Sequence, residues 1–360
     1  MEIKPAVLHL QIELNKTCGV TRSIQRIIRH SHNFEHYVIA LGGDAVDRFE
    51  GTNYKIINAD RNSITGTLEI FFTIVRFIIK HKIGIINSHH RYFDLLSTFL
   101  KYLTGVNTIT TIHSKVYDKK SFSYKADRLI AVSNCIKEHV VSNFKPDAGK
   151  ITVINNFIDP DEVKIITPKE ILLKEMNIPE DSVILGYFGR LDIKEKGVDI
   201  LIDAFKKAAG EFNNIYLFIS GIGVDESILR EKAGEMKIPV KFLGAIDNIW
   251  DYVYLSDIII LASRIDPFPI TMIEAGLAGK AFIGSDADGI PEFIDNYIDG
   301  ILFCKEDISE LYIKMKELIS DKSLRIKLGN KLHQKVLSDY VPEKIIPLLE
   351  DIYRFPNSKS

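Results

Sequence analysis

The chain has 360 residues, 46% of them hydrophobic and 26% charged, with a formal net charge of −2. This is the balance of a soluble globular protein long enough for two domains, each with its own core. Its three cysteines (Cys18, Cys135 and Cys304), odd in number and far apart, exclude a disulfide framework and suit a reducing compartment.

The near-neutral total hides an asymmetry. Up to Lys164 there are 22 Lys and Arg against 16 Asp and Glu, so the first part carries +6 and the remainder −8; nine of the ten histidines also precede residue 164. A basic first half suggests an anionic partner, such as a lipid surface or a phosphorylated acceptor, against the plainer reading of chance surface composition. Met-Glu-Ile-Lys-Pro at the N-terminus has no apolar h-region, so no signal peptide is expected. The longest apolar stretch, Leu68 to Ile79, is interrupted by Glu69 and Arg76 and is too short to span a bilayer.

The first predicted strand is Ala6 to Ile12, followed by a loop with one glycine, Gly19, and a helix over Thr21 to His30. An NAD-type domain would want Gly-x-Gly-x-x-Gly at this turn, and none is present. Further strands are predicted at Tyr37–Leu41, Lys55–Ile57, Gly84–Ser88, Thr108–Ile112, Arg128–Val132 and Ile151–Asn155. Helical patterns at Gly66–His81, Phe93–Leu103 and Cys135–Phe144 fall between them. Such alternation predicts an α/β domain with a parallel sheet covered on both faces.

A polar passage from Phe157 to Asp181, with Pro160, Pro168 and Pro179, reads as the interdomain connection. The alternation then restarts at strand Ile184–Phe188 and runs through helices at Gly197–Ala209, Glu226–Glu235, Trp250–Leu255 and Glu274–Leu277. Strands at Ile215–Ser220, Val240–Leu243, Ile258–Ala262 and Ala281–Ser285 interleave with them, and helices at Ser309–Ser320, Ser323–Asp339 and Pro342–Tyr353 follow. The expected division is residues 1–164, a linker at 165–180, a second domain at 181–340, and a C-terminal helix in 341–360 crossing back to the first domain. Ligands of doubly wound sheets bind outside the C-terminal ends of the strands, so two such domains in tandem would face one another across a cleft.

Two stretches carry chemistry. Asp266-Pro-Phe-Pro-Ile-Thr-Met-Ile-Glu274 lies between a strand and a helix. Pro269 suits a first helical turn, leaving the amides of Ile270, Thr271 and Met272 as donors at a positive dipole end, where a diphosphate would sit. Glu274 lies about one turn further in, placed to accept ribose hydroxyls, and Asp266 hangs in the loop on the other side. The second stretch, Gly189 to Leu201, opens with a glycine that lets backbone approach a ligand and adds two cations, Arg190 and Lys196, able to grip phosphate. The competing readings are a strand–loop–helix with a solvated acid at each end, and surface cations beside a turn.

These stretches, with the acid–seven–acid spacing of Asp266 and Glu274 and with Ser285-Asp-Ala-Asp-Gly-Ile-Pro-Glu292, resemble the family 4 glycosyltransferases of the GT-B fold. Thr111-Ile-His-Ser114, Ala126–Ser133 and Val153–Asp159 resemble segments at matching places in that family. The resemblance implies two Rossmann-like domains and retaining, metal-independent transfer of a sugar from a UDP- or GDP-sugar, with no cofactor. It implies that Arg190, Lys196 and Gly189 meet the diphosphate, Glu274 the ribose, and Ile246 with the Gly221-Ile-Gly223 turn the base. Asp266 would touch the transferred sugar; the family more often has glutamate there. His113 matches the family's histidine near the reacting centre, and Gly19 its glycine loop after the first strand. His89, His90 and Arg91 follow another strand end, where they meet the acceptor or form a solvated loop.

Asp286-Ala-Asp288 imitates a metal-binding Asp-x-Asp, but loop and cap chemistry explains it, and no metal is expected. The expected function is therefore glycosyl transfer to a saccharide or lipid-linked saccharide acceptor in surface-polysaccharide or lipopolysaccharide synthesis. The expected location is the cytoplasm, and the helices Leu68–Ile79 and Phe93–Leu103 read either as contacts to an anionic membrane or as a pair of core helices. No nucleic acid is expected as partner. Two rivals remain: a non-catalytic nucleotide-sugar-binding subunit of a glycosylation complex, and a GT-B-shaped nucleotide-sugar epimerase.

Overall fold

Short runs dense in Val and Ile, apolar on both sides, can only be buried between two helical layers, and parallel strands satisfy that demand. The computed structural model, which describes residues 4–16, 18–49, 51–118 and 123–354, resolves these runs into two units, residues 1–156 with 342–360, and residues 157–341.

In the first unit the chain runs β1 (Ala6–Glu13), α1 (Gly19–His30), β2 (Glu35–Gly42), β3 (Asn53–Ile56), α2 (Ile64–His81), β4 (Ile85–Ser88), α3 (Arg91–Thr104), β5 (Asn107–Ile112), β6 (Arg128–Ala131), α4 (Asn134–Phe144) and β7 (Ile151–Val153). The sheet order is β3-β2-β1-β4-β5-β6-β7, all parallel, so the winding reverses between β1 and β4. Side chains alternate across the sheet. Leu8, Leu10, Tyr37 and Ile39 pack on one face with Ile70, Ile74 and Ile78 of α2 and with Phe93 and Leu100 of α3. Val38 and Ala40 pack on the other with Ile24 of α1. The alternation therefore puts His9 and His36, one residue out of step with Leu8 and Tyr37, on the α1 side.

The second unit runs α5 (Lys169–Glu175), β8 (Val183–Phe188), α6 (Ile193–Lys196), α7 (Val198–Ala209), β9 (Ile215–Ser220), α8 (Glu226–Met236), β10 (Val240–Gly244), α9 (Ile249–Leu255), β11 (Ile258–Leu261), α10 (Ile270–Leu277), β12 (Ala281–Ser285), α11 (Ile290–Phe293), β13 (Ile301–Phe303), α12 (Ile308–Ser320) and α13 (Lys322–Asp339). Its sheet order is β10-β9-β8-β11-β12-β13, with the reversal between β8 and β11. The last helix, α14 (Pro342–Tyr353), returns to the first unit, where Tyr353 Oη accepts from Asn87 Nδ2 at 2.9 Å and Glu350 accepts from Ser31 and Asn33.

Two expectations need correction. The stretch 165–180 is no linker: it contains α5, whose Leu172 and Leu173 are buried with Ile178, Ile184, Phe218 and Leu255, and the second unit begins at Phe157. Pro168 marks the entry to a helix, as its N-cap, rather than a connector. Helix α1 also starts at Gly19 rather than Thr21, so Gly19 occupies a helical first turn and not a loop.

Candidate active site

In a doubly wound sheet the loops leaving adjacent strands diverge where the winding reverses, opening a crevice at the strand ends. In the second unit those loops follow β8 and β11, which are the Gly189–Lys196 and Ala262–Pro269 segments.

Backbone packing joins the glycines. A Cβ on Gly221, at φ +139°, would lie 1.8 Å from the Gly189 carbonyl oxygen, and one on Gly223 would lie 2.0 Å from that of Leu191. Only glycine lets the turn after β9 lie flat against the loop after β8. The Gly221 amide donates to the Gly244 carbonyl at 2.8 Å, which brings in the turn after β10 and, two residues on, the half-buried Ile246.

The acid and the cation meet directly. Lys196 Nζ donates to Asp266 Oδ2 at 2.6 Å, and Ser263 Oγ donates to the same oxygen at 3.2 Å. Both partners are largely buried, the side chains 19% and 7% exposed, so solvent screens the pair weakly. The Asp266 amide donates to Asp288 Oδ2 at 3.1 Å, and its carbonyl accepts from the Gly289 amide. Asp288 is thus a brace for the Asp266 loop, while Asp286 accepts from the Lys305 amide. Among the described residues no group of three or more His, Cys, Asp or Glu is arranged to hold a metal ion.

Helix α10 is fastened beside this pair. Thr271 Oγ1 donates to the Phe188 carbonyl at 2.8 Å, holding the first turn of α10 against the residue preceding Gly189. No side chain caps that turn, and the amides of Ile270 and Thr271 lie at its positive end. Glu274, one turn on, is fully buried. The Arg190 guanidinium is engaged by Glu195 and lies 3.7 Å from Asp192. Tyr187, kept protonated by burial and by the negative charge of Asp266, donates to the Arg190 carbonyl at 2.7 Å. The arrangement gathers two cations, an uncapped helix start and two acids around glycine-rich backbone, which is the chemistry that receives a diphosphate joined to polyhydroxyl groups.

Residues 168–335 match the family Glycosyl transferases group 1, and residues 17–162 match Glycosyltransferase Family 4. The chain belongs to the group 1 glycosyltransferases of the GT-B fold. Among its relatives is the O-antigen biosynthesis glycosyltransferase WclY of Escherichia coli, 24% identical over 366 residues that cover 95% of this chain and 96% of that one. A glycosyltransferase structure from Rickettsia africae superposes with a TM-score of 0.84 at 21% identity, covering 99% and 100% of the two chains. The Anabaena HepE structure with UDP and glucose gives 0.83 at 18% identity, covering 97% and 99%.

In the first unit of this glycosyltransferase, the residues predicted to meet acceptor are tied into the fold. His90 is the N-cap of α3, its Nδ1 accepting from the Tyr92 amide at 3.1 Å. Burial and the nearby Arg61 and Arg91 push its pKa down to about 4. Arg91 is paired with Asp118 at 2.6 Å. His113 follows β5 as a half-buried residue, its Nε2 3.1 Å from His89 Nδ1. Nothing in the sequence singles out His9 and His36 as members of a site. Their separations from His89, 80 and 53 residues, carry no motif; the one available signal was the crowding of histidines into the first half.

Proposed function

We propose that this protein transfers a sugar, with retention of anomeric configuration and without a metal ion, from a nucleotide-sugar to a saccharide or lipid-linked saccharide. The observation that carries the reading is the Lys196–Asp266 pair lying beside the uncapped start of α10 and the Gly189 loop. Departure of a nucleoside diphosphate builds negative charge on the leaving oxygens. Lys196, Arg190 and the α10 amides supply fixed positive charge there, which lowers the barrier directly. Glu274 accepts the ribose hydroxyls and Asp266 a hydroxyl of the transferred sugar, while His113 hydrogen-bonds the sugar or the acceptor. Gly221, Gly223 and Ile246 line the base. No protein nucleophile is required if the leaving phosphate takes the acceptor proton, so Asp266 and Glu274 do not act as a glycosidase pair.

UDP with glucose in the HepE structure supports a nucleotide-sugar donor, UDP-linked before GDP-linked. The name of WclY supports a place in surface-polysaccharide assembly, as does that of a capsular polysaccharide biosynthesis glycosyltransferase of Staphylococcus aureus, CapM. Contact with a cytoplasmic membrane face belongs to the same proposal. No helix among the described residues is long and apolar enough to cross a membrane. Helix α2, however, exposes Ile64 (82%), Leu68, Phe72 and Ile79, and α3 exposes Phe99, Tyr102 (86%) and Leu103, with Arg61, Arg76, Lys80 and Lys82 nearby in sequence. Apolar rows flanked by cations suit the surface of an anionic bilayer.

Thermal unfolding with UDP, GDP, ADP and their glucose or mannose conjugates tests the reading. A ligand at a hundred times its Kd stabilises by about 2.7 kcal/mol. One nucleotide series is expected to raise the midpoint in the wild type and to lose that effect in Glu274→Ala. A midpoint unmoved by the whole panel would sink the proposal.

A further inference from the structure

Four histidines from four separate stretches of the first unit form one hydrogen-bonded file. His36 Nε2 lies 3.1 Å from the Ser31 carbonyl oxygen, and His36 Nδ1 lies 3.0 Å from His9 Nε2. His9 Nδ1 lies 3.0 Å from His89 Nε2, and His89 Nδ1 lies 3.1 Å from His113 Nε2. Successive rings meet edge to edge, with centroids 5.2, 5.3 and 5.4 Å apart and planes within 30° of parallel, the geometry that ring N–H···N bonds need. The strands dictate this: His36 and His9 stand on the same face of neighbouring β2 and β1, and His89 and His113 follow the ends of β4 and β5.

A neutral imidazole has one N–H and one accepting nitrogen, so a file of neutral rings can run in either of two directions. The Ser31 carbonyl decides between them, because it can only accept. His36 must then carry its proton on Nε2 and accept at Nδ1 from His9 Nε2–H. His9 accepts in turn from His89 Nε2–H, and His89 from His113 Nε2–H. Burial holds all four rings neutral: it pushes His36 and His113 down to about 4 and holds His9 and His89 well below the ordinary imidazole range. What remains at the far end is the Nδ1 lone pair of His113, to which no described residue is hydrogen-bonded. Each bond polarises the next in the same sense, strengthening that nitrogen as an acceptor.

We propose that His89, His9 and His36 are positioning residues that lock His113 in its Nε2–H tautomer, so that Nδ1 accepts a hydrogen bond from a hydroxyl of the sugar or the acceptor. Here the carbonyl of Ser31 selects the reactive nitrogen from three rings away. The inference rests on the reading that His113 meets the reacting sugar; the locking itself does not.

Nitrogen-15 NMR of histidine-labelled full-length protein distinguishes Nε2–H, Nδ1–H and charged imidazoles. Wild-type protein at pH 7 is expected to show His113 as neutral Nε2–H. A His113 that is charged or Nδ1–H would overturn the proposal, whatever any variant does. His9→Phe can neither accept nor donate, so His89 loses its acceptor and can turn its proton toward His113. The expected result is an Nδ1–H or mixed His113, with turnover of the nucleotide-sugar giving the largest thermal shift down at least tenfold and its KM within twofold. His9→Gln, whose carboxamide can accept from His89 and donate to His36, is expected to restore the Nε2–H signature and most of the turnover. An unchanged His113 tautomer in folded His9→Phe would refute the locking. Wild-type turnover in His113→Ala would instead remove the residue from the reaction and leave the NMR result standing.

Discussion

Lys196 and Asp266 have a double duty as structural partners and proposed ligand contacts, and the two separate in mutants. Lys196→Ala leaves a nearly buried carboxylate without its cation. Breaking such a pair should cost roughly 3–5 kcal/mol in urea unfolding, and turnover should fall at least a hundredfold because a fixed charge at the leaving group is gone. The double variant Lys196→Met with Asp266→Asn is expected to recover most of the stability and none of the turnover. Recovery of both would mean that neither residue touches the donor. Gly221→Ala forces a Cβ into the Gly189 carbonyl at a left-handed φ. It should cost about 1–3 kcal/mol and abolish the nucleotide-induced rise in melting temperature. At this scale the second unit was readable: Gly189, Lys196, Asp266, Thr271 and Glu274 sit at strand ends and a helix start, where local order dictates position. The Lys196–Asp266 contact itself was not, since it joins residues 70 apart. Nor were His9 and His36, interior strand residues whose partners are fixed by sheet order alone.

Elements were read best where periodicity had room to show. Helix α14 displays Ile345, Leu349 and Ile352 at helical spacing and was located to the residue. Strand β13 spans only Ile301–Phe303, too short for any alternation to mark it in the sequence. Helix α5, seven residues after Pro168, is too short for helical spacing to outweigh the prolines around it. Its burial yields a direct check: Leu173, 2% exposed, should cost about 2–4 kcal/mol on conversion to alanine in urea unfolding. An exposed linker residue would cost nearly nothing. The outward rows of α2 and α3 make another prediction. Phe72→Ser with Phe99→Ser should weaken flotation with anionic vesicles at least fivefold while leaving turnover on a soluble acceptor unchanged; equal flotation would detach these helices from any membrane role.

The whole molecule carries the histidine file as a pH liability. His36 titrates at about 4 when folded and near 6.5 when unfolded. Between those values the unfolded chain binds protons that the folded chain refuses, so stability is full above pH 6.5 and drains as pH falls toward 4. His36 alone should remove about 2 kcal/mol between pH 7 and pH 5. Urea unfolding at the two pH values measures this, and a His36→Gln variant should show a shallower loss; equal stability at both would contradict the burial. The division of the chain has a different consequence, one of timing. Residues 157–341 form their unit from one continuous stretch, whereas the first unit is interrupted by all of it and regains α14 afterwards. On the ribosome, the segment begun first is therefore completed last. The strand bearing Asn87 and the turn bearing Ser31 must wait, through the synthesis of an entire second sheet, for Tyr353 and Glu350 to emerge. Nascent chains stalled before α14 should accordingly resist protease across residues 157–341 while the earlier segment is still cut.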